Sequence, residues 1–354
     1  MKGVLDFMLK VCLIGCGRVA KSHVASVKEI PKYIKIVAVV DTNIANAQAF
    51  QKEYGVDCAY SSFEEALAKT DFDAVDICLP NFLHKEMVIK CAAAKKHILV
   101  EKPMANTVEE CSEMIEAAEK AKVILMIGQS RRFYNAVIES RNMKQQGAIG
   151  ELVSISANLY GYLANAPTPW WNEAKKAGGL MIPIWGSHII DYCLWMFEEL
   201  PQRVYCESYS INPQWEGEDE VTILIGFSRN RFATIRMSWN TKLKETAWNG
   251  EGKMLSSADI LYERYIQGTK GTLYLNDETV LTHNGSPVKL DKQELSNFAL
   301  QYMEFANAIK EKRQPIANGK EIINVILIQQ AALKSAETHQ VVMIKPLNKL
   351  NSDV

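Results

Sequence analysis

The sequence predicts an α/β protein, a doubly wound parallel sheet followed by a second domain built on an open, largely antiparallel sheet. Three observations predict it. From Val11 to about Ile127, short apolar runs alternate with stretches of helical period, the pattern of parallel strands buried on both faces and joined by crossover helices. After Gln129 longer strand candidates follow one another with few helices between them. The chain has 354 residues and 48% hydrophobic content, which favours two cores over one, and the change of rhythm places the domains at 1–128 and 129–354.

In order, the first strands are VCLIG, IKIVAVV, DAVDICL, HILVE and VILMIG, with helical stretches such as NIANAQAFQKEYG and SFEEALAKT between them. A helix over RFYNAVIESRNMKQQG ends at Gly147, where a glycine suits a helix stop. ELVSISANLYGY, RVYCESYSI, EVTILIGFS and RFATIRMSW are the longer strands, and FSRNRF reads as a hairpin turn between the last two. GTKG at 268–271 turns into TLYL, and two helices, roughly 295–312 and 319–337, close the chain. GYLANAPTPWWNEAKKAGG reads as a long loop whose length argues for a role in shaping a pocket. There is no internal repeat or low-complexity segment.

Forty basic residues against forty-one acidic ones, with no basic stripe, argue against a nucleic-acid partner. The eight cysteines are scattered without a CxxC pair, which reads as buried free thiols in a reducing cytoplasm. At the N-terminus Asp6 and Lys10 interrupt the apolar run, and no segment approaches the ~20 apolar residues of a membrane span, so neither a signal peptide nor a membrane partner is expected. His23, His97, His283 and His339 show no metal-ligand spacing, and no metal is expected.

Chemistry enters after the first strand, where VCLIGCGRVAKSH carries G-x-G-x-x-A at Gly15, Gly17 and Ala20 as a helix opens. Gly15 permits the tight turn, Gly17 the approach of a pyrophosphate, and Ala20 close packing of helix on strand; the phosphates then meet the helix N-terminus. Asp41 ends the second strand 24 residues after Gly17, where an acid accepts the ribose hydroxyls and repels a 2′-phosphate. NAD is thus favoured over NADP, with Arg18 the one cation placed to reverse this. Asp41 also fits an N-cap of the next helix. Two further strand ends carry polar residues: Pro80, Asn81 and His84 in LPNFLHKE, and Glu101, Lys102 and Pro103 in VEKPMA. Ligands of open α/β sheets bind outside such strand ends.

At this point the sequence resembles the glucose-fructose oxidoreductase, inositol dehydrogenase and MocA-like NAD(P)-dependent oxidoreductases. GCGRVAKSH, LPNFLHKEM, HILVEKPMA, RRF, GAIGEL, GGLMIPIWGSHIIDY, GTKGTLYL and AALKSAETHQVVMI carry the likeness over nearly the whole chain. The resemblance implies a Rossmann domain followed by an α/β domain with a large open sheet, on whose face such proteins form homodimers or homotetramers. It also implies Lys102 and His188 as catalytic residues, the lysine near the reacting carbon and the histidine moving the proton. An imidazole suits that task because its pKa lies near operating pH, and an ammonium polarises a forming carbonyl oxygen.

The cofactor site so read is Gly15, Gly17, Arg18, Val19, Asp41, Pro80, Asn81, His84, Glu101 and Lys102. The substrate candidates are Arg132, Trp171, Ile184 and Asp191. Residues 186–197 read as a helix started by Ser187, with Ile189, Ile190, Cys193, Leu194 and Phe197 buried and His188, Asp191 and Trp195 on another face. This chain departs from the family pattern G-G-G-x-x-x-D-x-G-x-H-x-x-D by placing Leu180 at the third glycine and Ile184 at the first aspartate. The expected function is hydride transfer between NAD and a hydroxyl or keto carbon of a sugar, amino sugar or cyclitol, nucleotide-linked forms included. Two alternatives stand beside it: a glycoside hydrolase that retains NAD, and a non-catalytic NAD-binding regulator.

Overall fold

The computed structural model describes residues 8–163, 165–242 and 260–347; Asp6 and Ala164, both within stretches read above, lie outside them. The chain divides into two units, one of residues 1–133 with 293–323, the other of 134–292 with 324–354. The boundary expected near 128 therefore falls five residues later, and a C-terminal segment returns to the first unit. The reason is apolar: Tyr302, Phe305 and Ala306 join the core cluster that holds Leu9, Leu13 and Phe133.

The first unit begins with β1 (Leu9–Ile14), α1 (Arg18–Val27), β2 (Ile34–Val40), α2 (Ile44–Tyr54), β3 (Cys58–Tyr60) and α3 (Phe63–Lys69). It continues with β4 (Ala74–Ile77), α4 (His84–Ala93), β5 (His97–Glu101), α5 (Val108–Ala121) and β6 (Leu125–Gly128). The six strands pair in parallel in the order β3-β2-β1-β4-β5-β6, that of a dinucleotide-binding sheet. β4 is buried at all four positions and β1 at all but Lys10, as strands covered on both faces must be. β3 went unread because three half-buried residues, Cys58 to Tyr60, make no apolar run. Side-chain oxygens of Asn43, Ser62 and Thr107 cap α2, α3 and α5.

The second unit holds α6 (Asn135–Gln145), β7 (Leu152–Gly161), α7 (Ala174–Ala177), α8 (Met181–Ile184) and α9 (Gly186–Phe197). Then follow β8 (Arg203–Tyr209), β9 (Glu220–Gly226), β10 (Phe232–Ser238), β11 (Ile260–Gly268), β12 (Thr272–Asn276), β13 (Val280–His283) and β14 (Ser286–Pro287). α10 (Asn297–Glu311) belongs to the first unit, α11 (Gly319–Thr338) contains the division, and β15 (Val342–Met343) ends the second. Among the described residues nine strands run β14-β13-β12-β11-β7-β10-β9-β8-β15, antiparallel except for β7 with β10. Burial alternates along β9 and β10: Val221, Ile223, Ala233 and Ile235 face the core, while Leu224 and Phe232 stay exposed on the open side.

Candidate active site

Gly15 sits at φ +96°, and a Cβ there would lie 2.7 Å from the Cys78 carbonyl oxygen, so only glycine fits the turn after β1. Gly17 has open space where its Cβ would be; among the described residues nothing within 4 Å requires glycine, and the clearance fits a ligand lying against the backbone. It precedes α1 without a side-chain cap, and the first turn of α1 holds no acid, so the helix N-terminus offers its N–H groups to an anion. Ala20 is fully buried, and Val19 packs partly buried against the core.

Asp41 is half-buried, with Oδ2 accepting from the Cys16 amide at 3.1 Å and Oδ1 from the Asn43 amide at 2.9 Å. The cap of α2 is Asn43, not Asp41, which leaves Asp41 tied to the glycine turn. Arg18 is half-buried, and burial lowers its pKa. These residues fit a dinucleotide: an open glycine turn, an uncapped helix start and a carboxylate beside the turn.

The strand ends after β4 and β5 are braced against each other. Asn81, 2% exposed, donates from Nδ2 to Asn106 Oδ1 at 2.7 Å, and Pro80 beside it is half-buried. His84 is fully enclosed; Nε2 lies 2.9 Å from the Leu79 carbonyl oxygen, and Nδ1 lies 3.0 and 3.2 Å from those of Pro103 and Met104. Burial pushes its pKa down against the pull of these carbonyls. His84 is thus a clamp between two loops.

Glu101 is likewise held within the protein: its Oε1 meets His23 Nε2 at 3.0 Å, and its Oε2 accepts the Lys102 amide at 3.2 Å. Lys102 itself is half-buried. Burial lowers its pKa to about 8, Glu101 opposes this, and Arg131 and Arg18 reinforce it.

The RRF pair divides. Arg132 is 3% exposed, donates to the Ile316 carbonyl and pairs with Glu321 at 3.0 Å, so it braces the first unit. Arg131, half-buried, is the one within electrostatic reach of Lys102, and the sequence reading missed it. It also missed Asp76 and Tyr302 as partners of His23. The available signal was a carboxylate inside the buried strand DAVDICL, which requires a partner.

In the second unit α9 spans the expected residues, but Trp185 is its N-cap and Ser187 lies inside it, bonding back to the Ile184 carbonyl at 3.1 Å. His188 is half-buried in the first turn and Asp191 is 3% exposed. Leu180 and Ile184, the departures from the family pattern, are 0% and 2% exposed, so apolar side chains there complete a core. Glu218 Oε1 accepts from the Leu180 and Ile182 amides. The expected long loop carries α7 and a short 3-10 turn at Pro169–Asn172, and Trp171 stacks on Trp239 at 5.7 Å.

Residues 9–129 match the family described as "Oxidoreductase family, NAD-binding Rossmann fold", and residues 137–274 the "GFO/IDH/MocA C-terminal domain". The chain belongs to the GFO/IDH/MocA oxidoreductase family. It is 30% identical over 254 residues to an uncharacterized oxidoreductase of Streptococcus pneumoniae, covering 70% of this chain and 63% of that one. It is 28% identical over 314 residues to 1,5-anhydro-D-fructose reductase of Ensifer adhaerens, covering 88% and 91%. Levoglucosan dehydrogenase in complex with NADH shares the fold, with TM-score 0.84 at 21% identity over 96% of this chain and 100% of that one. Among the described residues of this GFO/IDH/MocA chain, no single helix is long and apolar enough to cross a membrane.

Proposed function

We propose that this chain is an NAD-dependent oxidoreductase that moves hydride between the nicotinamide and a hydroxyl or keto carbon of a sugar, amino sugar or cyclitol. The observation that carries the reading is the glycine turn of the first unit, with Gly17 open and Asp41 beside it, in a chain of the GFO/IDH/MocA family. The name of its relative 1,5-anhydro-D-fructose reductase supports the substrate class. The cofactor, when bound, supplies the hydride acceptor or donor.

Gly15, Gly17 and the first turn of α1 hold its pyrophosphate, and Asp41 its ribose, excluding a 2′-phosphate by charge. Lys102 polarises the substrate oxygen as an ammonium, and His188 takes or returns the hydroxyl proton. Trp171 and Asp191 shape the substrate side through the packing of α9 and its preceding loop. With Ile184 in the core, the substrate needs no carboxylate at that position.

The open face of the second unit's sheet supports a homodimer or homotetramer. Leu224 and Phe232 are exposed on it, beside an apolar hollow lined with Arg203, Tyr205, Gly226, Asn230 and Val341. Six of the eight cysteines are buried free thiols, which supports a reducing, cytoplasmic setting. The test is a screen of sugars, inositols and their phosphates and nucleotide conjugates, followed by absorbance of the reduced cofactor. Turnover that is lost in Lys102→Ala and His188→Ala supports the reading; no turnover in any class with NAD bound, or full turnover in both variants, rejects it.

A further inference from the structure

We propose that His23 is a positioning residue for Lys102, acting through Glu101: one enclosed imidazole ties the carboxylates of two neighbouring strands and fixes the one that holds the Lys102 amide. The proposal rests on the reading of Lys102 as the amine that faces substrate.

His23 lies on α1 and is fully buried. Its Nδ1 meets Asp76 Oδ2 on β4 at 2.7 Å, and its Nε2 meets Glu101 Oε1 on β5 at 3.0 Å. Asp76 is fully buried and Glu101 6% exposed, so both need a cation in a region of low dielectric. With a carboxylate at each ring nitrogen, both nitrogens carry protons and the ring is an imidazolium. Burial alone would lower its pKa, but Asp76 and then Cys78 raise it well above the usual histidine value.

The other groups around the ring complete the cage. Tyr302 of α10 donates to Asp76 Oδ2, Phe298 packs 4.8 Å from the ring centroid, and Cys78 Sγ lies 3.8 Å from Asp76 Oδ1. Although ligand atoms of His23, Asp76 and Cys78 lie within 4.8 Å of one another, a doubly protonated ring has no lone pair for a metal.

The link to Lys102 is direct. With Oε1 held by His23, the other oxygen of Glu101 is aimed at the Lys102 amide at 3.2 Å. Gly128, opposite Glu101 on β6, makes room for this carboxylate; a Cβ there would come within 2.6 Å of Oε1. His23 thereby sets both the orientation of the strand end that carries Lys102 and the distance of the negative charge that Lys102 feels.

In the native protein at about pH 8, ring-nitrogen NMR shifts of His23 should be those of an imidazolium. A neutral tautomer at that pH overturns the proposal, whether or not any variant folds. His23→Gln should lower kcat roughly tenfold or more while the NAD dissociation constant stays within about twofold, because a small misplacement of the reacting group is costly. Glu101→Gln, the second variant, should lower kcat and move the alkaline limb of the pH–rate profile to lower pH. Unchanged kcat in folded His23→Gln, or equal losses of kcat and NAD affinity, overturns it. Lys102→Ala separates the two failures: if it abolishes turnover while His23→Gln does not, only the role of His23 falls, and if it leaves turnover intact the function reading falls with it.

Discussion

Glu218 holds the turn into α8 with one oxygen: its Oε1 accepts the Leu180 amide at 3.0 Å and the Ile182 amide at 2.8 Å. This anchor lies in the segment where the chain departs from the family pattern, and it explains how a stretch with apolar residues at 180 and 184 keeps a defined path toward α9.

Glu218→Ala should therefore destabilise the protein by roughly 2–4 kcal/mol, since two buried amides lose their acceptor, whereas Glu218→Gln keeps an oxygen there and should cost less. Burial raises the Glu218 pKa, against the pull of the amides. The stabilisation that comes with its protonated form is present below the unfolded pKa and lost as pH rises through the folded one. Wild type should accordingly lose stability relative to Glu218→Gln over that rise, as read from denaturant midpoints across pH.

Gly15→Ala and Gly17→Ala should separate folding from binding. At Gly15 the φ of +96° and the Cys78 carbonyl oppose any side chain, and a loss of about 2 kcal/mol or more is expected. At Gly17, φ is −80° and the space is open, so the melting temperature should hold while NAD affinity falls. Calorimetry for stability and titration for binding check both; a Gly17→Ala protein that binds NAD normally would contradict the site.

Lys102 is an ammonium below about pH 8 and a neutral amine above it. A rate that depends on the ammonium should hold at neutral pH and fall through that value, and a kcat profile with no change between pH values of about 6 and 10 would exclude the assigned role.

Asp41→Ser should weaken NAD and relax discrimination against NADP by roughly tenfold, measured as the ratio of kcat/KM for the two cofactors. Because Asp41 also binds the Cys16 amide, some of the NAD loss will come from the loosened glycine turn.

Phe232→Glu on the open sheet face should reduce the assembly size seen by light scattering while leaving the fold intact, since Phe232 is 41% exposed. A wild-type monomer would reject the homo-oligomer.

Much of the site was readable because it is local. The glycine turn, Asp41 and the E-K-P stretch each show as short motifs of a few consecutive residues, although their contacts are long-range, and strands buried on both faces announce themselves as apolar runs. What escaped was long-range. Arg131 and Arg132 are neighbours of one type, yet one goes to Glu321, 189 positions away in sequence, and the other to the surroundings of Lys102. His84 read only as a polar residue at a strand end; its three carbonyl partners from two loops were not legible in the sequence. Ser187 looked like a cap, but α9 starts at Gly186.

The sequence by itself determined the alternation that makes the first sheet and the glycine turn after β1, since each follows from backbone sterics and the local spacing of apolar residues; the two faces expected of α9 did not both hold, for Asp191 is buried and Leu194 only half-buried. Only the tertiary structure decided that residues 293–323 complete the first unit and that His23, Asp76, Glu101 and Tyr302 share one buried volume. Burial is what separates the two: a charge removed from water must find its counterpart, and that counterpart can stand more than two hundred residues along the chain, as Tyr302 does from Asp76.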